Sequence, residues 1–431
     1  MEIERPYYMN QLLRRQNNGR IKIITGIRRC GKSYLLFHLF RNYLISQGVE
    51  KDRIIELALD ELANARLRNP FELDAWIRKQ IRPYSGKYYI FIDEIQFSTE
   101  EKNPYVGEGT VTFVDTLLGL MKIPGVDIYV TGSNSRMLST DILTQFRDRG
   151  DEIHLNPLTF SEFYEATPDK LHALRDYSNF GGMPYLLSLT TPEEKSDYLK
   201  FLFRETYIRD VVERNHLKND EEVLDILLDF ISSAIGSFTN PAKLENRFRS
   251  EQKISVSHTT IAQYLKYFEE SYLIRSARRF DVKGSRYFST PLKYYFTDIG
   301  LRNARLNFRQ VEQTHIMENM IFNELTAAGY NVDIGVVPVR QRDPDNPDIR
   351  RSRQLEIDFI VNRGTGRCYI QSALNMDNRE KQEQETASLR NVNDSFRKIV
   401  ILGNDILPWH DENGIFYVGF QDFLLKGLSG I

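Results

Sequence analysis

The chain has 431 residues, 41% hydrophobic, 12% aromatic and 27% charged, with a formal net charge of −2, a composition that gives two to three globular domains. So even a charge balance excludes binding nucleic acid through the global field and leaves only local patches for such contact. The two cysteines, Cys30 and Cys368, exclude a disulfide framework and a zinc-ligand spacing, and no apolar stretch approaches the length of a membrane span.

The N-terminus, MEIERPYYMN, lacks the basic-then-apolar layout of a signal peptide, so a cytoplasmic location is expected. An apolar run, IKIIT (21–25), then enters GIRRCGKS (26–33), and Leu35, Leu36, Leu39 and Phe40 follow at helical spacing. Gly26, Gly31, Lys32 and Ser33 match G-x-x-x-x-G-K-[ST], in which glycines let backbone N–H groups turn onto phosphate at a helix N-terminus. In that pattern Lys32 neutralises phosphate oxygens and Ser33 ligates Mg²⁺. Arg28, Arg29, Cys30 and Tyr34 complete the candidate nucleotide-binding set. The arginine pair exceeds what the motif requires and reads equally as a contact to the nucleotide edge, a contact to a neighbouring domain, or a solvated pair. Cys30 reads as a small filler or as an exposed thiol that ATP would protect from alkylation.

RIIELALDE (53–61) reads as one further strand, and YYIFIDEIQ (88–96) as an apolar strand ending in Asp93 and Glu94. Asp93 suits the Mg²⁺ shell and Glu94 the activation of water. A strand between the two motifs, with Glu directly after the Asp, marks the ATPase branch of P-loop proteins. VDIYVTGSN (126–134) reads as another strand ending in Ser133 and Asn134. The C-terminal ends of parallel strands line the ligand crevice, so either residue is a candidate sensor of the γ-phosphate or the lytic water. TQFRDRGDEIHL then carries Arg147 and Arg149 just before a strand at 152–155. Either arginine suits transition-state charge, in cis or across a subunit interface, and either also fits an ordinary surface position.

These motifs occur in order with RPYYMNQLL, IHLNPLTFSEFYE, FGGMPYLL (180–187), RETYIRDVVERNHL (204–217) and TDIGLRNA. Over nearly its whole length the chain resembles the prokaryotic AAA-type (AAA_14) ATPases whose C-terminal half is the DUF4143 region. Asp148 departs from the pattern, standing where a small Gly is favoured between the arginines. The expected fold is α/β, with a P-loop ATPase domain built on a parallel sheet at 1–165. A helical segment and winged helix follow at 166–305, and a degenerate restriction-endonuclease-like α/β domain at 306–431. ATP and Mg²⁺ are the expected ligands and ATP hydrolysis the expected activity.

Beyond 165 the sequence turns helical and charged, with Gly181, Gly182 and Pro184 marking a turn. EEVLDILLDFISSAIG places Val223, Ile226, Leu227 and Phe230 on one face, and Asn240 and Pro241 read as N-cap and first residue of a second helix. A third helix turns Ile261, Leu265 and Phe268 inward and presents Ser257, Thr259, Thr260, Gln263 and Lys266. LIRSARRFDV and PLKYYFTD would form the wing. Arg278, Arg279, Lys283 and Arg286 then suit DNA phosphates, whereas Glu269, Glu270 and Asp281 dilute the patch and fit a structural or protein-contact module.

From about 311 an amphipathic helix, a strand and a charged loop (340–353) lead into QLEIDFIVNRGTGRCYIQSALNM. This region resembles the restriction-endonuclease fold, whose acid-x(n)-(D/E)-x-K site binds Mg²⁺. Asp358 falls on the first carboxylate, Gln371 on the second and Ala373 on the lysine, with Glu318 on the preceding helix. An amide weakens a hard-cation site and an alanine cannot position water, so a docking surface is expected in place of a nuclease. The whole reads as an ATPase whose nucleotide state moves its C-terminal half, on DNA or against a protein partner. The alternative is a slow-turnover regulatory switch. An arginine acting in trans would require a homo-oligomer.

Overall fold

A computed structural model of the chain describes residues 3–81, 86–105, 109–132, 146, 149–215, 217, 220–309, 312–342 and 350–431. Contacts divide it into two units, Met1–Pro157 with Glu270–Tyr272, and Leu158–Glu269 with Leu273–Ile431.

The first unit is built on β1 (Ile21–Thr25), β2 (Ile54–Ala58), β3 (Tyr88–Asp93), β4 (Val126–Thr131) and β5 (Gly150–His154), all parallel, in the order β2-β3-β4-β1-β5. Every residue of β1 and β3 is buried, which is why these strands read as unbroken apolar runs: a parallel sheet is covered on both faces. Ile90 and Ile92 join one core with Leu73, Ile77 and Leu117 from the helices Pro70–Gln80 and Phe113–Leu120. The alternate residues Phe91 and Tyr129 meet Phe40 from the other side, with ring centroids 5.8 and 4.9 Å away. Phe40 belongs to the helix that starts at Lys32–Tyr34, widens to π geometry over Leu35–Phe40 and closes as Arg41–Ser46. Inside the sheet Lys22 is fully buried and paired with Asp127, which also accepts from the Tyr129 hydroxyl at 2.7 Å.

The second unit begins with the helices Phe160–Ala166 and Ala173–Phe180. The expected turn at Gly181 and Gly182 docks on Asp298, whose carboxylate accepts from the Gly182 N–H at 2.7 Å and from the Leu301 N–H at 3.1 Å. A Cβ at Gly181 (φ +76°) would lie 2.3 Å from that carboxylate, and one at Gly300 would lie 1.8 Å from the Phe180 carbonyl. The FGGMP and TDIG segments are thus two halves of one packing node. The three expected helices form as Glu221–Ser233, Pro241–Arg247 and His258–Glu270, and the Asn240 side chain caps the second by accepting from the Lys243 N–H at 2.7 Å.

The largest sheet of this unit comprises β6 (Ile274–Asp281), β7 (Arg286–Phe296), β8 (Asn331–Arg342), β9 (Arg350–Arg363), β10 (Gly366–Ala373), β11 (Arg397–Leu402), β12 (Trp409–His410) and β13 (Phe416–Gly419). Their order is β12-β13-β11-β10-β9-β8-β6-β7. The hairpin expected as a wing is therefore the end of this sheet: β6 pairs antiparallel with β7 and parallel with β8. Among the described residues no helix is long and apolar enough to cross a membrane.

Candidate nucleotide-binding site

β1 delivers the chain into the 26–31 loop at the C-terminal edge of the parallel sheet. Gly26 has φ +143°, and a Cβ there would lie 2.1 Å from the Leu155 carbonyl, so only glycine lets the loop pack on the chain leaving β5. Gly31, at φ +100°, is the N-cap of the following helix. Lys32 is 4% exposed, and its Nζ donates to the Gly26 and Ile27 carbonyls at 3.1 and 3.2 Å. Those neutral partners are weaker than the charge-assisted bonds a phosphate would offer the same ammonium.

A cavity of about 260 Å³ lies on this loop. Arg28, Arg29, Gly31, Lys32, Ser33, Tyr34 and Glu94 all border it, so the fold brings together most of the residues singled out from sequence. Arg28 and Arg29 are exposed, and Arg29 adopts a left-handed φ of +64°. The Tyr34 hydroxyl accepts from the Ile3 N–H at 3.3 Å, and its ring stacks on His38.

On the neighbouring strand Asp93 is buried and accepts from the Thr131 hydroxyl, which in turn accepts from the Glu94 N–H at 3.0 Å. Glu94 has φ +51° and ψ +50°, a left-handed backbone that costs roughly 1–2 kcal/mol in a non-glycine residue. Its carboxylate accepts from the Gln96 side-chain amide. Ser33, Asp93 and the cavity carboxylates are hard oxygen donors that suit Mg²⁺ held jointly with phosphate oxygens and water.

Several contributors escaped the sequence reading. Asp60 and Phe97 also border the cavity. The Leu59 N–H donates to the Asp93 carbonyl at 3.2 Å, carrying Asp60 beside the acidic pair, and Arg68 secures that turn through the Leu59 carbonyl at 2.8 Å. The available signal was only an acid two residues beyond the end of β2. Arg5, buried near the N-terminus, donates to the Cys30 carbonyl at 3.4 Å and the Asn156 carbonyl at 2.8 Å, bracing the loop from behind.

Some expected residues stand elsewhere. Cys30 is fully buried with its Sγ toward the Leu155 carbonyl, and burial pushes the thiol pKa up, so the exposed-thiol reading gives way to the filler. Arg149 is exposed at the entry to β5, its carbonyl accepting from the Ile21 N–H at 2.8 Å. Register pairs Ile21 with Gly150 and Thr25 with His154, so Arg149 and the loop lie at opposite ends of the strands, roughly 15 Å apart. The fold does not bring Arg149 to this cavity. Ser133, Asn134, Arg147 and Asp148 lie outside the described residues.

In the second unit the basic residues assigned to phosphates all have intramolecular partners. Arg279 donates to Gln354 at 2.8 Å, Arg286 pairs with Asp281 at 3.5 Å, Lys283 donates to the Pro338 carbonyl at 3.0 Å, and Arg278 lies over the Tyr287 ring. Ser257, Thr259, Gln263 and Lys266 form an exposed helix face, with Thr260 half-buried beside them. At the nuclease-like positions no group of three or more His, Cys, Asp or Glu among the described residues is arranged to hold a metal ion.

The strand order of the first unit, with a phosphate-type loop leaving its β1 and an acidic pair ending the adjacent-but-one strand, defines an AAA-type P-loop ATPase fold. Residues 18–164 match the family model AAA_14, described as an AAA domain, and residues 171–312 match a domain of unknown function, DUF8612, in place of the DUF4143 named above. The chain belongs to this AAA-domain family, together with an uncharacterized protein of Haemophilus influenzae that is 30% identical over 98% of this chain and 99% of its own length. Uncharacterized protein MJ1544 of Methanocaldococcus jannaschii is 27% identical over 91% of this chain and 83% of its own. Among solved structures, the Aeropyrum pernix ORC1 protein in complex with DNA is 14% identical, covering 71% of this chain and 92% of its own, with a TM-score of 0.30. That score is too low to carry an inference about this chain.

Proposed function

We propose that the chain binds ATP with Mg²⁺ on the 26–33 loop and hydrolyses it, using the nucleotide state to move its C-terminal half. The observation that carries this reading is the single cavity bordered by Lys32, Ser33 and Glu94 from separate motifs. Lys32 would exchange its loop carbonyls for phosphate oxygens, and Ser33 and Asp93 would hold the ion, which would offset phosphate charge. Glu94, aimed by its left-handed backbone and steadied by Gln96, takes the proton of the attacking water. Ser133 or Asn134 senses the γ-phosphate, and Arg147 or Arg149 supplies positive charge. Arg149 stands away from its own loop, so it could play this part only across a subunit interface in a homo-oligomer, whereas Arg147 leaves a role in cis open.

The test is the ATPase rate of wild type and Glu94→Gln, with and without DNA. Glu94→Gln should keep ATP binding and lose turnover by on the order of 10²–10⁴-fold. Equal rates in the two proteins would sink the base assignment. DNA as the client predicts stimulation that fades steeply with salt. The intramolecular partners of Arg278, Arg279, Lys283 and Arg286, Asp281 among them, dilute the basic patch and support a second reading, a regulatory switch that presents a protein-binding surface in one nucleotide state. Slow turnover that DNA leaves unchanged would support that switch and exclude DNA.

A further inference from the structure

The resemblance of the C-terminal sequence to the restriction-endonuclease fold implies a divalent ion near Asp358, and the residues present do not suit one. Both oxygens of Asp358 are already engaged: Oδ1 accepts from the Gln371 side-chain amide at 3.0 Å, and Oδ2 accepts from the Ser372 N–H at 2.8 Å and its hydroxyl at 2.6 Å. Gln371 therefore does what a second carboxylate cannot, donating to Asp358 where no ion separates the two groups. An Mg²⁺ ion would have to break these bonds to gain its oxygen ligands.

A positive charge is nevertheless present, and it comes from an unexpected strand. Lys293 lies on β7, in the hairpin expected as a wing, and is only 4% exposed. Its Nζ donates to Glu318 Oε1 at 2.8 Å and lies 2.6 Å from Glu356 Oε1. The Tyr295 hydroxyl donates to the same Glu318 oxygen at 2.6 Å. Burial by itself pushes the Lys293 pKa down, but the carboxylates of Glu318, Glu356 and Asp358 more than offset this and hold it above the usual lysine range. Burial also pushes Glu318 up to about 7, with Lys293 opposing the shift.

We infer that Lys293 is the resident cation of this nuclease-like site, its ammonium supplying beside Glu318 and Glu356 the positive charge that the resemblance assigns to a divalent ion, and closing the site to metal. The two substitutions that sequence shows as losses then form one arrangement. Gln371 satisfies Asp358, Ala373 is spared the role of supplying a cation, and the charge arrives from β7. A site so arranged has no ion with which to activate water for phosphodiester cleavage. It ties the hairpin to the helix Gln313–Ala327 and to β9 through a buried lysine and two partly buried carboxylates. This inference does not rest on the ATPase reading.

The experiment uses the full chain with Mn²⁺ as probe and no nucleotide. Wild type and Asp358→Asn should bind Mn²⁺ equally, with no site that depends on Asp358. One equivalent bound by wild type and lost in Asp358→Asn overturns the inference. In parallel, melting is followed in Lys293→Met, Glu318→Gln and the double variant. Lys293→Met strands the largely buried Glu318 carboxylate and should lower the melting temperature by on the order of 10 °C, and adding Glu318→Gln should recover more than half of that loss. Simple additivity of the two changes overturns the counter-ion role. If Lys293→Met fails to fold, recovery of folding in the double variant is the expected result, and its continued failure, or Asp358-dependent Mn²⁺ binding, counts against the inference.

Discussion

Lys32 and Thr131 illustrate how much of the candidate site depends on single polar atoms. Lys32 holds two neutral carbonyls, so Lys32→Ala removes a group that would make charge-assisted bonds to phosphate. Loss of roughly 1.5–3 kcal/mol, or a roughly 10- to 150-fold weaker Kd for ATP by titration calorimetry, is expected. Thr131 donates to Asp93 and accepts from the Glu94 N–H, so Thr131→Val should leave nucleotide affinity nearly intact while turnover falls about tenfold or more. Glu324 gives a pH signature. Burial pushes its carboxyl up to about 8, against the lowering effect of the bond it accepts from the Phe160 N–H at 2.7 Å. The folded chain then holds a proton that the unfolded chain releases from about pH 4.5, so this contribution to stability falls as pH climbs toward 8 and levels off above it. Glu324→Gln keeps the acceptor for Phe160 and removes the titration. Its melting temperature should gain on wild type as pH rises through that window, and a constant offset would show that Glu324 does not titrate there.

At the level of elements, the node joining Gly181, Gly182 and Gly300 to Asp298 has no slack. Gly300→Ala forces a methyl group into the Phe180 carbonyl and should destabilise by about 1–3 kcal/mol or more in a denaturant titration, well beyond a surface Gly→Ala change. Asn240→Ala removes the cap bond to the Lys243 N–H and should cost about 1 kcal/mol. The elements themselves were largely legible. Buried parallel strands announce themselves as apolar runs, as β1 and β3 do, and Asn240-Pro241 announces a helix start. The loop residues of the cavity were legible because they are consecutive and chemically constrained. Asp60 was hidden because its role comes from the pairing of β2 with β3, and Lys293 because its partners Glu318 and Glu356 are distant in sequence. The hairpin looked like a wing because antiparallel pairing is local, whereas the parallel pairing of β6 with β8 leaves no local pattern. Arg149 looked well placed by proximity to a strand, but it precedes that strand, and the parallel pairing with β1 puts the leading end away from the loop.

For the molecule as a whole, two contact units predict two calorimetric transitions. ATP with Mg²⁺ at about 100 times its Kd should stabilise the unit carrying the loop by about 2.7 kcal/mol. If nucleotide state is coupled to the C-terminal half, the second transition moves with the first. A second transition indifferent to ATP would leave the two halves thermodynamically independent. The membership of β6 and β7 in the large sheet has a further consequence, for the order in which the chain is made. The hairpin leaves the ribosome before β8 exists, so until residues 331–342 emerge the β6 edge has no partner and Lys293 has neither Glu318 nor Glu356 beside it. An interrupted product ending near residue 305 would carry that open edge permanently and pair with copies of itself. The C-terminal strands therefore act on the hairpin as a late-arriving cover, and premature termination should yield aggregate in place of a soluble N-terminal fragment.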